Sequence, residues 1–382
     1  MPPRAALGGK VAVVVERDVE GPATHALIIG VGDYPHVGAG AAEPLVRALG
    51  SLSSPPISAV ALARFLAGEE FADARAPLGS IELLACGPAD YGDWRPGVPT
   101  RAEIQKAFLR WFKRGDSDPG NVLLFFFCGH GLQRAGPVVL PSDFGSDELN
   151  PLARAIDLLQ TRLGTARCKA RTQLWLVDAC REAPAHLLAM VGTIGTALAM
   201  PTAQGQQELD STMIASTTDF RLASGLAGQP SRFTAALLAA LRGVAAEPDE
   251  NGSGKWSIRT GRLQYAINAL LREESEENRW PEQQCESLSG TGNGILRSLA
   301  APPPVPVRVS CDPAVNLARV ALYIRNELTE QRRPPKPTPW QISVPAGIYR
   351  VGAEPEPAAG MVSARETLSF CAPPCARTVI RW

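Results

Sequence analysis

The chain has 382 residues and carries 38 Lys and Arg against 38 Asp and Glu, so its formal net charge is zero. Hydrophobic residues make up 45% and charged residues 20%, which is typical of a folded globular protein. This balance argues against a protein that mainly coats nucleic acid or anionic membranes, because both need surplus positive charge. We therefore expect neither nucleic acid nor membrane among its partners.

Targeting signals are not evident in the sequence. The N-terminus lacks the long apolar stretch of a signal peptide, and the longest uncharged apolar run, residues 187–200, is too short to span a bilayer. We therefore expect a soluble, cytoplasmic protein. The same run has two interpretations: a segment packed on its own core, or a docking segment for an activating protein partner.

The first 300 residues alternate apolar strand-like runs with helix-like stretches. Continuous apolar runs bounded by turn residues are typical of central strands in a parallel sheet that is covered on both faces. This pattern predicts an α/β fold, an αβα sandwich around a mostly parallel central sheet. Strands are predicted at 26–31, 80–85, 122–127, 173–177 and 213–215, and helices at 57–71, 100–113, 233–241 and 261–271.

A proline cluster at 301–306 marks the clearest boundary, because clustered prolines are extended and cannot continue a helix. We predict a domain at 1–300, a linker at 301–306 and a small all-β sandwich domain at 307–382. Strands of that domain are predicted at 305–309, 320–324, 340–344, 348–351 and 378–382.

Eight cysteines are scattered along the chain. Thiols are the default state in a cytoplasmic protein of this length. Cys371 and Cys375 have a C-x3-C spacing, but no second Cys or His pair lies nearby in sequence, so we predict neither a metal nor a cofactor. Two interpretations stay open for Cys311, Cys371 and Cys375: a disulfide among them, or buried thiols.

Two apolar strands end in turns that each carry one reactive side chain. Residues 125–131 end in Cys-Gly-His-Gly, and residues 176–182 contain Asp-Ala-Cys-Arg. Sites in open α/β sheets form at the carboxyl ends of the strands. If the two strands are neighbours, His130 and Cys180 emerge side by side at that edge.

This pairing suits nucleophilic catalysis. A thiol is mostly protonated at neutral pH, and an adjacent imidazole can take its proton and later donate it to a leaving amine. His130 is the candidate base and Cys180 the candidate nucleophile. The backbone N–H groups of Gly131 and Cys180 are candidates for an oxyanion hole.

The other cysteine and histidine candidates fit a structural role better. Cys128 lies inside the apolar run, where a packed core residue is expected. His25 and His186 have no recognisable catalytic partner in the sequence, and His36 lies in a loop beside Pro35.

Four segments, in order, resemble one family. The 50-residue separation of His130 from Cys180, the Cys-Gly-His-Gly motif, residues 26–35 (ALIIGVGDYP) and residues 231–234 (SRFT) are similar to caspases, metacaspases and related bacterial peptidases. The resemblance covers about residues 24–300. It implies a caspase fold and a cysteine endopeptidase with a His130/Cys180 dyad acting on a protein substrate in regulated proteolysis, in bacterial stress signalling or antiviral defence.

Substrate preference follows from the same resemblance. Asp178 would help to form the S1 pocket, where a carboxylate favours a substrate Arg or Lys through charge-assisted hydrogen bonds. Metacaspases usually carry a second acid where this chain has Ser58. Asp33 or Asp219 could supply that charge, or both are turn residues. The alternative function is a caspase-fold scaffold that binds partners and cleaves nothing.

Residues 183–211 contain no Lys or Arg. Many members of the resembled family mature by cleavage in this region. A protease specific for basic residues could not cut itself there, so we predict that activity does not require cleavage in this segment.

Residues 345–349 of the C-terminal part, Pro-Ala-Gly-Ile-Tyr, resemble a turn and strand of small prealbumin-like β-sandwiches. This short resemblance implies a binding or stabilising module rather than a second active site.

Overall fold

The structure is a computed structural model that describes residues 12–38, 49–73, 75–133, 136–179, 195–201, 210–216, 228–249, 254–289, 292–355 and 363–382. The described residues form two compact units. The first comprises residues 1–238 and 259–297, and the second comprises residues 239–258 and 298–382.

The residues up to Leu299 hold five α-helices and thirteen strands within the described part of the chain. The helices are α1 (Ser54–Ala67), α2 (Arg101–Gly115), α3 (Leu158–Gly164), α4 (Arg232–Ala239) and α5 (Thr260–Asn278). The strands are β1 (Val13–Glu16), β2 (Thr24–Val31), β3 (Leu78–Cys86), β4 (Val122–Gly129), β5 (Gly131–Gln133), β6 (Pro137–Val139), β7 (Ile156–Asp157), β8 (Thr172–Ala179), β9 (Asp210–Ser216), β10 (Ala246–Pro248), β11 (Trp256–Arg259), β12 (Cys285–Ser289) and β13 (Ile295–Leu299).

A seven-stranded sheet forms the centre of the first unit, in the order β1-β3-β2-β4-β8-β9-β12. The five middle strands are parallel, and the edge strands β1 and β12 are antiparallel to their neighbours. The predicted mostly parallel sheet is therefore confirmed. The edge strands were not predicted, because they are short and β12 is largely polar, so their local signal is weak.

Helices pack on both faces of this sheet, as predicted. Ile29 belongs to the same buried core as Trp111 of α2. On the opposite face, Gly30 lies against α1: a Cβ there would approach the Pro55 carbonyl oxygen to 2.6 Å and the Ala59 Cβ to 2.7 Å. Adjacent strand residues point to opposite faces, so α1 and α2 cover different sides of β2.

Two helices differ most from the prediction in their boundaries. Helix α1 begins at Ser54 rather than at residue 57, because prolines are tolerated in the first turn, and it ends at Ala67. Helix α5 continues to Asn278 rather than stopping at 271, since its Arg- and Glu-rich end is formed by good helix formers. Helix α2 begins as predicted, with the Thr100 hydroxyl accepting the Glu103 N–H at 3.3 Å.

The C-terminal residues fold as two sheets, which confirms the predicted all-β domain. One sheet has the order β17-β14-β20 and the other β16-β15-β18-β19. The strands are β14 (Pro304–Asp312), β15 (Val320–Arg325), β16 (Glu330–Arg333), β17 (Trp340–Pro345), β18 (Gly347–Pro355), β19 (Arg365–Cys371) and β20 (Ala376–Arg381).

Three residues of the predicted linker lie in a strand. Strand β14 begins at Pro304 and pairs with β17, with Val305 opposite Val344. Val305 is fully buried while Pro304 and Pro306 are exposed. The φ that proline imposes is compatible with an extended strand. Residues 304–306 therefore belong to the sheet of the β-domain rather than to a linker.

The described residues bear on three further expectations. No disulfide joins the seven cysteines that the structure describes, including Cys311, Cys371 and Cys375. Within the described ranges, no group of three or more His, Cys, Asp or Glu side chains is placed to hold a metal ion. Of the helices in this part of the chain, none combines the length and apolarity needed to cross a membrane.

Candidate active site

Strand register brings the two reactive segments together. In the pairing of β4 with β8, Cys128 lies opposite Asp178 and Gly129 lies opposite Ala179. His130 follows the end of β4, and Cys180 is the next residue after β8 in the sequence. The two strands are neighbours, as the site prediction required. Cys180 itself lies outside the described residues.

The imidazole of His130 is held by a backbone carbonyl. Its Nε2 lies 2.7 Å from the carbonyl oxygen of Gly50. Because a carbonyl oxygen can only accept, Nε2 is the ring nitrogen that carries the proton, and Nδ1 of the neutral ring carries the lone pair. The hydrogen bond therefore selects the tautomer in which Nδ1 can take a proton.

Burial keeps this imidazole neutral. His130 is only 5% exposed. Burial lowers the pKa of His130 below its ordinary value of 6.5, and the hydrogen bond to Gly50 opposes the shift without cancelling it. A base must be unprotonated to accept the proton of a thiol, so this environment favours the active protonation state near neutral pH.

Tyr34, which the sequence analysis did not single out, fixes the backbone of His130. The Tyr34 hydroxyl accepts the His130 N–H at 2.8 Å and donates to the Leu140 carbonyl at 3.2 Å. The two rings have centroids 4.8 Å apart, at an interplanar angle of 50°. A Cβ at Gly129 would lie 2.8 Å from the Tyr34 hydroxyl, so this close approach requires glycine.

Gly131, the predicted oxyanion donor, opens strand β5 opposite Val139 of β6. The Leu140 N–H donates to the His130 carbonyl at 3.0 Å, which makes Gly131 and Val139 a non-hydrogen-bonded pair. The ladder between β5 and β6 therefore does not use the Gly131 N–H. This is the condition that an oxyanion donor needs.

Asp178 is buried at the end of β8, with an exposed fraction of 7%. Its Oδ2 accepts hydrogen bonds from the Ser231 hydroxyl and, at 3.1 Å, from the Thr234 hydroxyl. The Cys128 thiol donates to the same oxygen at 3.4 Å. Burial raises the pKa of the Asp178 carboxyl above its usual range, and the three hydrogen bonds act in the opposite direction.

Ser231 joins this carboxylate to two helices. Its hydroxyl accepts the Thr234 N–H at 3.0 Å, which caps the first turn of α4. Its own N–H donates to the Ser58 hydroxyl of α1 at 2.9 Å. The Ser58 hydroxyl therefore supports Ser231 from α1.

Comparison with known proteins shows the family of this chain. The caspase domain of peptidase family C14 matches residues 23–287, more than half of the chain. The chain belongs to that family. It is also similar to the uncharacterized protein y4kE of Sinorhizobium fredii (strain NBRC 101917 / NGR234), with 29% identity over 232 residues. That match covers 59% of this chain and 66% of the relative, so the chain spans just under two thirds of that protein's length.

The remaining predicted residues of the caspase domain lie in different settings. Asp33 lies two residues after the end of β2 and is exposed. The Cys86 thiol at the end of the neighbouring strand β3 donates to the Asp33 carbonyl oxygen at 3.4 Å. Asp219, His186 and residues 187–194 of the apolar run lie outside the described residues, so their predicted roles stay predictions.

The other two histidines of the caspase domain that the structure describes take no part in the site. His25 is buried in β2, where its Nδ1 lies 2.9 Å from the Ser80 hydroxyl. Burial, and then the positive charge of Arg114, lower the pKa of His25 to about 4. His36 is exposed in the turn after β2.

Proposed function

We propose that this caspase domain is a cysteine endopeptidase that cleaves a protein substrate after Arg or Lys. His130 acts as general base and acid, and Cys180 is the nucleophile. One observation carries the proposal: the hydrogen bond from Nε2 of His130 to Gly50 leaves Nδ1 as the basic atom at the end of β4. Cys180 directly follows β8, the strand next to β4.

The proposed reaction has two stages. Nδ1 of His130 takes the proton of the Cys180 thiol, and the thiolate attacks the substrate carbonyl carbon. The N–H groups of Gly131 and Cys180 stabilise the oxyanion of the tetrahedral intermediate. The imidazolium then gives its proton to the leaving amine, which forms an acyl-enzyme. His130 next takes a proton from water, which attacks the thioester and releases the acid and the thiol.

The preference for a basic residue rests on the carboxylates at this sheet edge. Asp178 is the penultimate residue of β8, two residues before Cys180. A buried carboxylate favours a cationic partner because the pair offsets the cost of desolvation. The three described donors to Asp178 all reach Oδ2. Oδ1 is therefore the oxygen proposed to accept the substrate cation. Asp33, and Asp219 after β9, are proposed to add negative charge.

The biological setting is proposed from family membership alone. We place the enzyme in regulated proteolysis in the cytoplasm, in bacterial stress signalling or antiviral defence. An activating protein partner that docks on the apolar run at 187–200 would suit a protease that is silent until it is signalled.

A fluorogenic peptide panel with Arg, Lys or Asp before the cleaved bond tests the proposal. We expect the full-length chain to hydrolyse the Arg and Lys peptides, and Cys180→Ala and His130→Ala to lose this activity. Cys285→Ala, which removes a buried thiol of β12, is the matched control and should keep it. Hydrolysis of only the Asp peptides would overturn the role of Asp178.

A non-cleaving scaffold makes the opposite prediction. In that case the full-length chain hydrolyses none of the peptides, and Cys180→Ala leaves every biological readout unchanged.

A further inference from the structure

Residues 195–199, which we call the latch, begin fifteen positions after the candidate nucleophile and pack on the caspase domain. Leu198 in the latch is 7% exposed. Thr196 pairs with the edge of the small sheet β5-β6-β7. Its N–H donates to the Ala155 carbonyl at 3.0 Å, and its carbonyl accepts the Asp157 N–H at 3.3 Å. The latch therefore extends the sheet whose first strand, β5, starts next to the candidate base.

Arg101 of α2 is the centre of the side-chain contacts to the latch. Its Nη2 donates to the Thr196 hydroxyl at 3.2 Å and to the Ala197 carbonyl at 3.3 Å. Its Nη1 donates to the side-chain oxygen of Gln105 at 2.9 Å, and the Gln105 amide donates to the Leu198 carbonyl at 3.0 Å. Arg101 therefore acts on three consecutive residues of the latch, on two directly and on one through Gln105.

The same arginine is tied through its backbone to the turn that follows β6. The Arg101 N–H donates to Oδ1 of Asp143 at 2.8 Å. In the opposite direction, the Ser142 N–H donates to the Pro99 carbonyl at 3.0 Å. The first turn of α2 and the turn after β6 are therefore joined by two hydrogen bonds.

That turn begins beside the support of His130. The Leu140 N–H donates to the His130 carbonyl at 3.0 Å, and the Leu140 carbonyl accepts the Tyr34 hydroxyl at 3.2 Å. Only one residue separates Leu140 from Ser142. A shift of the first turn of α2 would therefore reach the backbone of the candidate base over a few residues, and a misplacement of about 1 Å can cost about 100-fold in rate.

We propose that Arg101 is a positioning residue: by seating the latch, it holds the first turn of α2 in the place that keeps His130 ready for catalysis. This inference rests on the proposed function, since it assigns a support to the base of the same site. The guanidinium holds α2 and the latch together, so without it both are free to shift, and the turn after β6 moves with α2. A purely structural role would lower stability alone, whereas this role lowers kcat while peptide binding is kept.

Arg101→Gln tests the side chain alone, because the backbone N–H that Asp143 accepts stays in place. We expect kcat per folded enzyme, measured with an Arg peptide, to fall about ten-fold, with KM within about two-fold of the parent. Arg101→Lys keeps a cationic donor for the Ala197 carbonyl but loses the fork, so its kcat should lie only about three-fold below the parent.

Arg114→Gln is the matched control, because it makes the same change near the other end of α2. Arg114 donates to Glu82 at 2.7 Å and to Glu16 at 2.9 Å, so this variant loses ion pairs that do not involve the latch. It should lower the free energy of unfolding and leave kcat per folded enzyme unchanged.

A second variant, Asp143→Ala, cuts the same connection at another point. It removes the acceptor of the Arg101 N–H and leaves the contacts of the Arg101 side chain to the latch intact. The bond from Ser142 to Pro99 remains, so we expect a smaller fall in kcat, of about three-fold. This variant carries the test if Arg101→Gln does not fold, and an unchanged kcat in it would then overturn the inference.

Hydrogen exchange gives a readout that does not depend on hydrolysis. In Arg101→Gln we expect faster amide exchange in peptides that cover 195–199 and also in peptides that cover 129–133, which contain His130. Asp143→Ala should speed exchange in 129–133 and leave 195–199 as in the parent. Arg114→Gln should change neither segment.

The two readouts separate this inference from the proposed function. Linked exchange of both segments without hydrolysis by the parent chain supports the positioning role and overturns the endopeptidase. Hydrolysis by the parent with an unchanged kcat in Arg101→Gln overturns the inference and keeps the endopeptidase. Faster exchange in the latch alone, or an equal loss of kcat in Arg114→Gln, also overturns the inference.

Discussion

The Tyr34 hydroxyl lies 2.8 Å from the backbone nitrogen of His130 and accepts its N–H. The same hydroxyl donates to the Leu140 carbonyl, so one buried phenol ties the end of β2 to the turn that carries the candidate base. The imidazole is thus positioned through its backbone by Tyr34 and through its ring by Gly50.

We expect Tyr34→Phe to lower kcat for an Arg peptide by about ten-fold, because the ring stays in place while the His130 backbone loses this acceptor. The free energy of unfolding should fall by about 1–2 kcal/mol, the usual cost of removing one partner of a buried hydrogen bond. Tyr349→Phe is the control, since its buried hydroxyl donates to the Pro345 carbonyl in the β-domain. An equal loss of kcat in both variants would contradict the positioning role of Tyr34.

The pH dependence of activity should follow His130. Burial lowers the pKa of this imidazole below 6.5, so at pH 6.5 most of it is neutral. We therefore expect kcat/KM to hold at pH 6.5 and to decline only at lower pH, where the base becomes protonated. A pH profile of kcat/KM measures this, and an acid limb centred above pH 6.5 would contradict it.

His25 should make stability depend on pH. Its folded-state pKa is about 4, below the ordinary value of 6.5. Between these pH values the unfolded chain binds a proton at His25 and the folded chain does not. The free energy of unfolding should therefore fall, by about 3 kcal/mol, as the pH is lowered from 6.5 to 4.

Urea unfolding at several pH values tests this dependence. His25→Asn should show a shallower slope over the window, whereas His36→Asn, at an exposed position, should keep the slope of the parent. The same slope in His25→Asn and in the parent would rule out His25 as its source.

Activity should not require cleavage between residues 183 and 211. The segment contains neither Lys nor Arg, so an enzyme specific for basic residues has no site for self-cleavage there. We expect the intact chain to hydrolyse an Arg peptide, with mass spectrometry showing no new terminus within the segment. A processed form cut in this segment and more active than the intact chain would contradict the prediction.

The sequence by itself determined the fold class and pointed to His130 and Cys180 as the candidate pair. Continuous apolar runs such as 122–127 have strong local signals because a strand covered on both faces has no polar side. The Cys-Gly-His-Gly and Asp-Ala-Cys-Arg segments stood out for the same reason, since each ends such a run. The short edge strands β1 and β12 escaped prediction, because their pairing depends on neighbours that are distant in sequence.

Only the tertiary structure decided how the site is supported. Three supporting residues are about 50 to 100 positions in sequence from the groups they bind: Tyr34, Gly50 and Ser231. Contacts between residues so far apart produce no local sequence pattern. A tyrosine hydroxyl or a glycine carbonyl has no distinctive spacing, so its role exists only once the sheet places it beside His130. The same holds for Asp178. The sequence shows a carboxylate two residues before Cys180, but only the structure shows that Oδ2 of this carboxylate accepts the hydroxyls of Ser231 and Thr234.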